Sequence, residues 1–220
     1  MANVDVFDMI AEGDIESIHR LLEHVPHAGR TIDARGLSAL MVALYHGRDD
    51  IVDVLRPGAV PFDAFEAAAL GDVTGLKRHL DDDDDLTSRR SSDGFTVLHL
   101  ACFFGQPASV DACLAAGADP DAVADNPSAV RPLHSAAAGH HVDIMGRLLR
   151  AGADPNAAQR GGWTALHAAA GHGHTDMATV LIEYHANPVC TSDDGVTPAD
   201  LARERNHDQL AGWLDELKPA

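Results

Sequence analysis

The sequence predicts an all-α solenoid made of short helix-turn-helix units. Three observations carry this reading. The segments Arg131-Pro-Leu-His134, Thr164-Ala-Leu-His167 and Thr197-Pro-Ala-Asp200 are one motif recurring every 33 residues, a period characteristic of stacked supersecondary units. After the motif come apolar pairs four residues apart, such as Ile144, Met145, Leu148 and Leu149, which is helical spacing. The chain is 45% hydrophobic but only 5% aromatic, its apolar content being mostly Ala, Leu and Val, which suits closely packed helices.

The units follow in order from their Thr-like anchors, Val4, Ser38, Phe62, Thr96, Arg131, Thr164 and Thr197, spaced by 34, 24, 34, 35, 33 and 33 residues. Seven units then tile a single domain over 1–220: 1–32 as an N-terminal cap, a short 33–57, 58–90, 91–125, 126–158, 159–191, and 192–220 as a C-terminal cap. The short spacing falls where LRPGAVPFD replaces a full connection, and the second helix there is predicted to end at Arg56-Pro57, because proline cannot continue it. The anchor side chain caps the first helix, and in the last unit Pro198 follows it at a favourable first-turn position. First helices are alanine-rich and close on a glycine expected to be left-handed: Gly13, Gly47, Gly71, Gly105 and Gly173. Second helices carry the apolar pairs, and a Gly-Ala-Asp turn follows, as at Ala116-Gly-Ala-Asp119 and Ala151-Gly-Ala-Asp154. Terminal faces meet water, so the end units are expected to degenerate. Accordingly Asp200 replaces the motif histidine, and Asp215 stands where earlier units have Ile182 and Leu149.

Gly94-Phe-Thr96-Val-Leu-His99 and Gly162-Trp-Thr164-Ala-Leu-His167, each followed by a second helix and a Gly-Ala-Asp or related turn, resemble the repeat of ankyrin proteins. The match is strongest from Gly94 to Pro198 and in register but weaker from Val4 to Asp85. The resemblance implies helix pairs stacked side by side, β-hairpin finger loops at right angles to the stack, and a concave groove of fingers and first helices that binds partners. It also implies that Thr96, His99, His134, Thr164, His167 and Thr197 are structural, the histidines bonding backbone of the adjacent unit.

Net charge is −18, which disfavours nucleic-acid and anionic-membrane partners and favours a basic protein partner. No apolar run approaches a membrane span, and the acidic start lacks the basic region of a signal peptide, so a cytoplasmic protein is expected. Among 16 basic residues only Lys77 and Lys218 are lysines, which with the alanine content points to a high-GC bacterial gene. Cys102, Cys113 and Cys190 form no CxxC pair; the first two sit at core positions and read as small buried hydrophobes.

Fourteen histidines invite a metal or catalytic reading. Six are encoded by the repeat: the three motif histidines, and His141, His174 and His207 at the start of second helices. His172-Gly-His174-Thr-Asp176 resembles a ligand cluster, with His140-His141-x-Asp143 its counterpart one unit earlier, but residues i and i+2 on an elbow are not expected to face one another, and no HExxH or CxxC accompanies them. No metal, no cofactor and no catalytic residue is assigned. The run Asp81–Asp85 is expected in the loop after the third unit's second helix and lacks calcium-loop spacing, reading as a solvated loop able to dock a basic partner.

Two columns are predicted to line the groove. Tyr45-His46, Phe103-Phe104, Gly171-His172 and Glu204-Arg205 stand seven and eight residues after their anchors, and Leu37, Phe95, Val130, Trp163 and Val196 one before. Five of the chain's ten aromatic residues lie there. Tyr45, His46, Phe95, Phe103, Phe104, Trp163 and His172 are therefore the candidate partner-binding residues, since exposed rings clustered on one face compose an interface hot spot. The expected function is a non-enzymatic protein-interaction module with an acidic rim of Asp81–Asp85, Asp93, Asp193 and Asp194. The alternative is a small-molecule-binding or catalytic protein using groove histidines such as His46 and His172.

Overall fold

A computed structural model describes residues 5–217. Among them it places fourteen α-helices, one 3-10 turn and no strand. The chain comprises two compact units, Met1–Glu66 and Ala67–Ala220.

In the first unit, α1 (Val6–Glu12) and α3 (Ala39–Tyr45) pack together, as do α2 (Ile15–Leu22) and α4 (Asp49–Ala59), with a 3-10 turn at Ala28–Arg30 against α3 and α4. Ile10, Ile18, Leu40, Ile51 and Leu55 form its buried centre. Helix α4 does not stop at Arg56-Pro57 but runs through Pro57 to Ala59. Proline so near the end removes one N–H at an exposed turn. The continuation buries Ala59, and Gly58 lies so near the Pro26 carbonyl that a Cβ would sit 1.8 Å from it. Only residues 60–63 then lead to α5 (Ala64–Leu70).

Two anchors shift by one residue. Neither Val4, which lies outside the described residues, nor Phe62 carries a side chain able to cap. Asp5 caps α1, accepting from the Phe7 amide, and Asp63 precedes α5, accepting from the Glu66 amide at 2.8 Å. Glu66 returns the bond by accepting the Asp63 amide at 3.1 Å and also accepts the Ser38 hydroxyl at 2.6 Å. Buried among these partners, its carboxyl is pushed above the usual range, burial being the main cause.

In the second unit the first helices α7 (Val97–Phe103), α9 (Pro132–Ala138), α11 (Ala165–His172) and α13 (Pro198–Glu204) form one packed row. The second helices α6 (Val73–Asp82), α8 (Pro107–Ala115), α10 (Val142–Arg150) and α12 (Thr175–Glu183) form another, and α14 (Asp208–Glu216) packs on α13. Alanines at the seams, Ala101, Ala136, Ala169, Ala170, Ala199 and Ala202, are buried together with Cys102 and Cys113. Burial pushes the Cys113 thiol up to about 12 and the Cys102 thiol well above its usual value, so both are inert. Asp81 and Asp82 belong to the last turn of α6 rather than to a loop, and Asp83 pairs with Arg89 at 2.7 Å.

The finger loops are tighter than hairpins. Loops 33–37, 91–95, 159–163 and 192–196 each close by a bond from the first residue's N–H to the fifth residue's carbonyl, at 2.9, 2.8, 2.9 and 2.9 Å. Pairing beyond that point reaches only single antiparallel bridges, Ile32 with Ser38 and Ala158 with Thr164, because the next backbone groups serve the neighbouring loops and helix caps. Within the second unit those neighbour bonds run from Asp125 N–H to the Gly94 carbonyl, from Arg160 to Ser128 and from Asp193 to Gly161, tying the fingers into a row.

Candidate functional site

The site grows out of the histidine seam. In the first of these units the Thr96 hydroxyl accepts the His99 amide, while His99 Nδ1 accepts the Thr96 amide, a reciprocal cap. With Nδ1 an acceptor, Nε2 carries the hydrogen and donates to the Val130 carbonyl at 3.2 Å. His134 donates in the same way to Trp163 at 3.2 Å and His167 to Val196 at 3.0 Å. Each bond ends one residue before the next anchor, so each histidine locks one finger base onto the preceding helix. Burial holds His99 and His134 near 4 and lowers His167, so all three stay neutral.

On this frame the finger-base rings stand over the seam. Trp163 meets His167 edge-on with ring centroids 5.3 Å apart, and Phe95 tilts over His99 at 5.8 Å. The indole lies against its own loop: a Cβ on Gly161 would fall 2.9 Å from Trp163 Cδ1. Beside it opens a recess of about 280 Å³. Its walls are Gln159 and Trp163 of the finger; His134 and Ala138 of α9; His167, Ala168, Gly171 and His172 of α11; Leu201 of α13; and Arg205 at the end of α13. The recess exists because the column seven residues past the anchor narrows from Phe103 to Ala138 and Gly171. Leu201 moves into that space, so near that a Cβ on Gly171 would be 3.0 Å from it.

The candidate residues are not all brought to one place. Trp163 and His172 share the recess. Phe103 and Phe104 pair edge-to-face at the end of α7, centroids 5.0 Å apart, with Phe103 exposed, while Phe95 is half-buried at its finger base. Tyr45 and His46 close α3 of the first unit. Of the acidic rim, Asp93, Asp193 and Asp194 sit in the finger loops, whereas Asp81 lines a recess between the second helices α6 and α8, on the other row. Sequence columns contained Arg205 without marking it; Gln159 and Leu201 carried no signal, because only the depth of Gly171 makes them walls.

The elbow histidines do meet. His172 and His174 rings lie 5.9 Å apart and nearly parallel, with His140 at 5.6 and 4.2 Å from them. They meet because His140 takes the left-handed position, φ 62°, that glycine holds in sibling units, which swings its ring towards the next elbow. Even so, no group of three or more His, Cys, Asp or Glu among the described residues is arranged to hold a metal ion. Nor are Cys190 and His167 an activated thiol–imidazole pair. Cys190 Sγ lies 3.9 Å from His167 Nδ1, but burial raises the thiol and lowers the imidazole, the reverse of an activated pair.

A family model described as ankyrin repeats (3 copies) matches residues 64–159 and 133–217. The chain belongs to the ankyrin-repeat family. Ankyrin repeats are in general protein-protein interaction modules, and the rows of first and second helices with their linked fingers are the form this one takes. The chain is also similar to a zinc finger CCCH domain-containing protein 24 of Oryza sativa subsp. japonica, 33% identical over 121 residues. That match takes in 53% of the present chain but spans only 14% of the rice protein's length. No helix among the described residues is long and apolar enough to cross a membrane.

Proposed function

We propose that this ankyrin-repeat chain, acting as one repeat domain over 1–220 in a cytoplasmic setting, is a non-enzymatic module that captures a partner protein on its finger side. The observation that carries the reading is the recess beside Trp163: an aromatic wall, an aliphatic floor and polar ends, built on a rigid seam. Such a combination gives affinity through ring burial at a preformed centre. The exposed Phe103 extends the apolar surface along the same row of first helices. Asp93, Asp193 and Asp194 in the finger loops, within a chain of net charge −18, favour a partner with a basic surface and speed its encounter.

Use of the groove for a small molecule or for catalysis has less in its favour. Two of the recess histidines, His134 and His167, spend Nε2 on backbone carbonyls and are held neutral. Affinity capture from the native cell with the wild-type chain and with the double variant Trp163→Ala, Phe103→Ala tests the reading. The variant is expected to lose the captured partner while its melting temperature stays within about 4 °C, since neither ring belongs to the buried core. Capture undiminished by the double variant contradicts it.

A further inference from the structure

We infer that the recess beside Trp163 takes an apolar side chain of a partner segment whose immediate neighbour is a carboxylate held by Arg205. The inference rests on the reading of this recess as the partner site and adds the chemistry of what enters it.

The chain carries 34 acidic residues against 16 Lys and Arg, yet no carboxylate lines the recess, and Arg205 is its one permanently charged wall. Five other arginines, Arg35, Arg48, Arg89, Arg147 and Arg203, pair with aspartates. Among the described residues the Arg205 guanidinium has no such partner. Its exposed neighbour Glu204 is not a wall of the recess. An unpaired guanidinium at the mouth of an apolar pocket is a fork for a carboxylate from outside. The second polar group is defined as well. His172 donates Nδ1–H to the Ala168 carbonyl at 2.8 Å, which leaves Nε2 as its open nitrogen. Between these ends lie Trp163, Leu201 and the small Gly171, a space of about 280 Å³ that admits one large side chain rather than a folded surface. An extended partner segment fits that shape.

Charge then sets the direction of the segment. Asp193 and Asp194 project from the finger next to the recess wall at Trp163, so basic residues of the segment belong on the finger side and the carboxylate on the α13 side. A uniformly basic segment leaves Arg205 facing like charge, and a uniformly acidic one faces the fingers. The fitting sequence is therefore of mixed charge around one apolar anchor.

A bead-displayed random octapeptide library panned with the full chain tests this directly. The wild type is expected to enrich peptides with an aromatic or large aliphatic residue next to Asp or Glu. Replacing that acid by its amide in a selected peptide is expected to weaken binding about tenfold. Arg205→Glu, a change at an exposed position, is expected to keep the apolar preference and exchange the neighbouring acid for Lys or Arg. Enrichment without an acidic neighbour, no enrichment at all, or an unchanged preference in Arg205→Glu overturns the inference. Trp163→Ala is expected to lose the apolar preference. If it selects as the wild type does, the reading of the recess as the partner site fails too.

Discussion

Glycine at the fourth position of a finger loop answers to two separate demands, and two positions pull them apart. Gly94 has φ 86°, and a Cβ there would lie 2.1 Å from the carbonyl oxygen of Asp125, a residue whose N–H is bonded to the Gly94 carbonyl in the finger row. Gly195 has φ 78° with open space around it. Gly195→Ala therefore meets only the left-handed penalty, about 1 kcal/mol, whereas Gly94→Ala adds a backbone clash and is expected to reach about 3 kcal/mol. Denaturant midpoints of the two variants compare them, and equal losses contradict the role given to the Asp125 carbonyl. The glycine signal was legible in the sequence because the repeat marks it. His140, and Ala129 at φ 49°, were not legible: the turn imposes its left-handed geometry on whichever residue stands there, and only the flanking helices reveal it.

At the scale of elements, the first helices are joined by the seam of neutral histidines, which makes stability depend on pH with a definite sign. His99 and His134 are held near 4 in the fold against about 6.5 when unfolded. The unfolded chain takes up protons first as pH falls. The seam therefore contributes fully above about 6.5, and its contribution is lost as pH drops towards 4. Each histidine is expected to account for on the order of 3 kcal/mol over that window. Urea melts at pH 7.5, 5.5 and 4.5 check it, and stability that holds or rises on acidification contradicts the seam. Helix pairing and the histidine pattern were legible from the 33-residue period. The course of α4 was not, because the burial of Ala59 against the 3-10 turn outweighs the local effect of Pro57, and that contact is tertiary. The one-residue shift to Asp63 had a local signal in Asp63-Ala-Phe-Glu66, an acid with a glutamate three residues on. The stronger periodicity of the glycines obscured it.

For the whole molecule, the proposed function has charge governing encounter and the recess governing retention. With a net charge of −18, association with a basic partner is expected to slow on the order of tenfold between low salt and 0.5 M. Dissociation, set by buried rings, is expected to change little. Stopped-flow rates across that range separate the two, and a salt effect confined to dissociation contradicts the division. Composition and period sufficed to place the chain among interaction repeats. They could not locate the recess, which depends on three helices and a finger meeting around the absent side chain of Gly171. The most direct test of the central claim is hydrogen exchange on the chain with and without its captured partner. The account predicts slowed exchange in residues 159–172 and 201–205, along the finger and first helices around Trp163. Slowing confined to the second helices, residues 142–150 and 175–183, would contradict it.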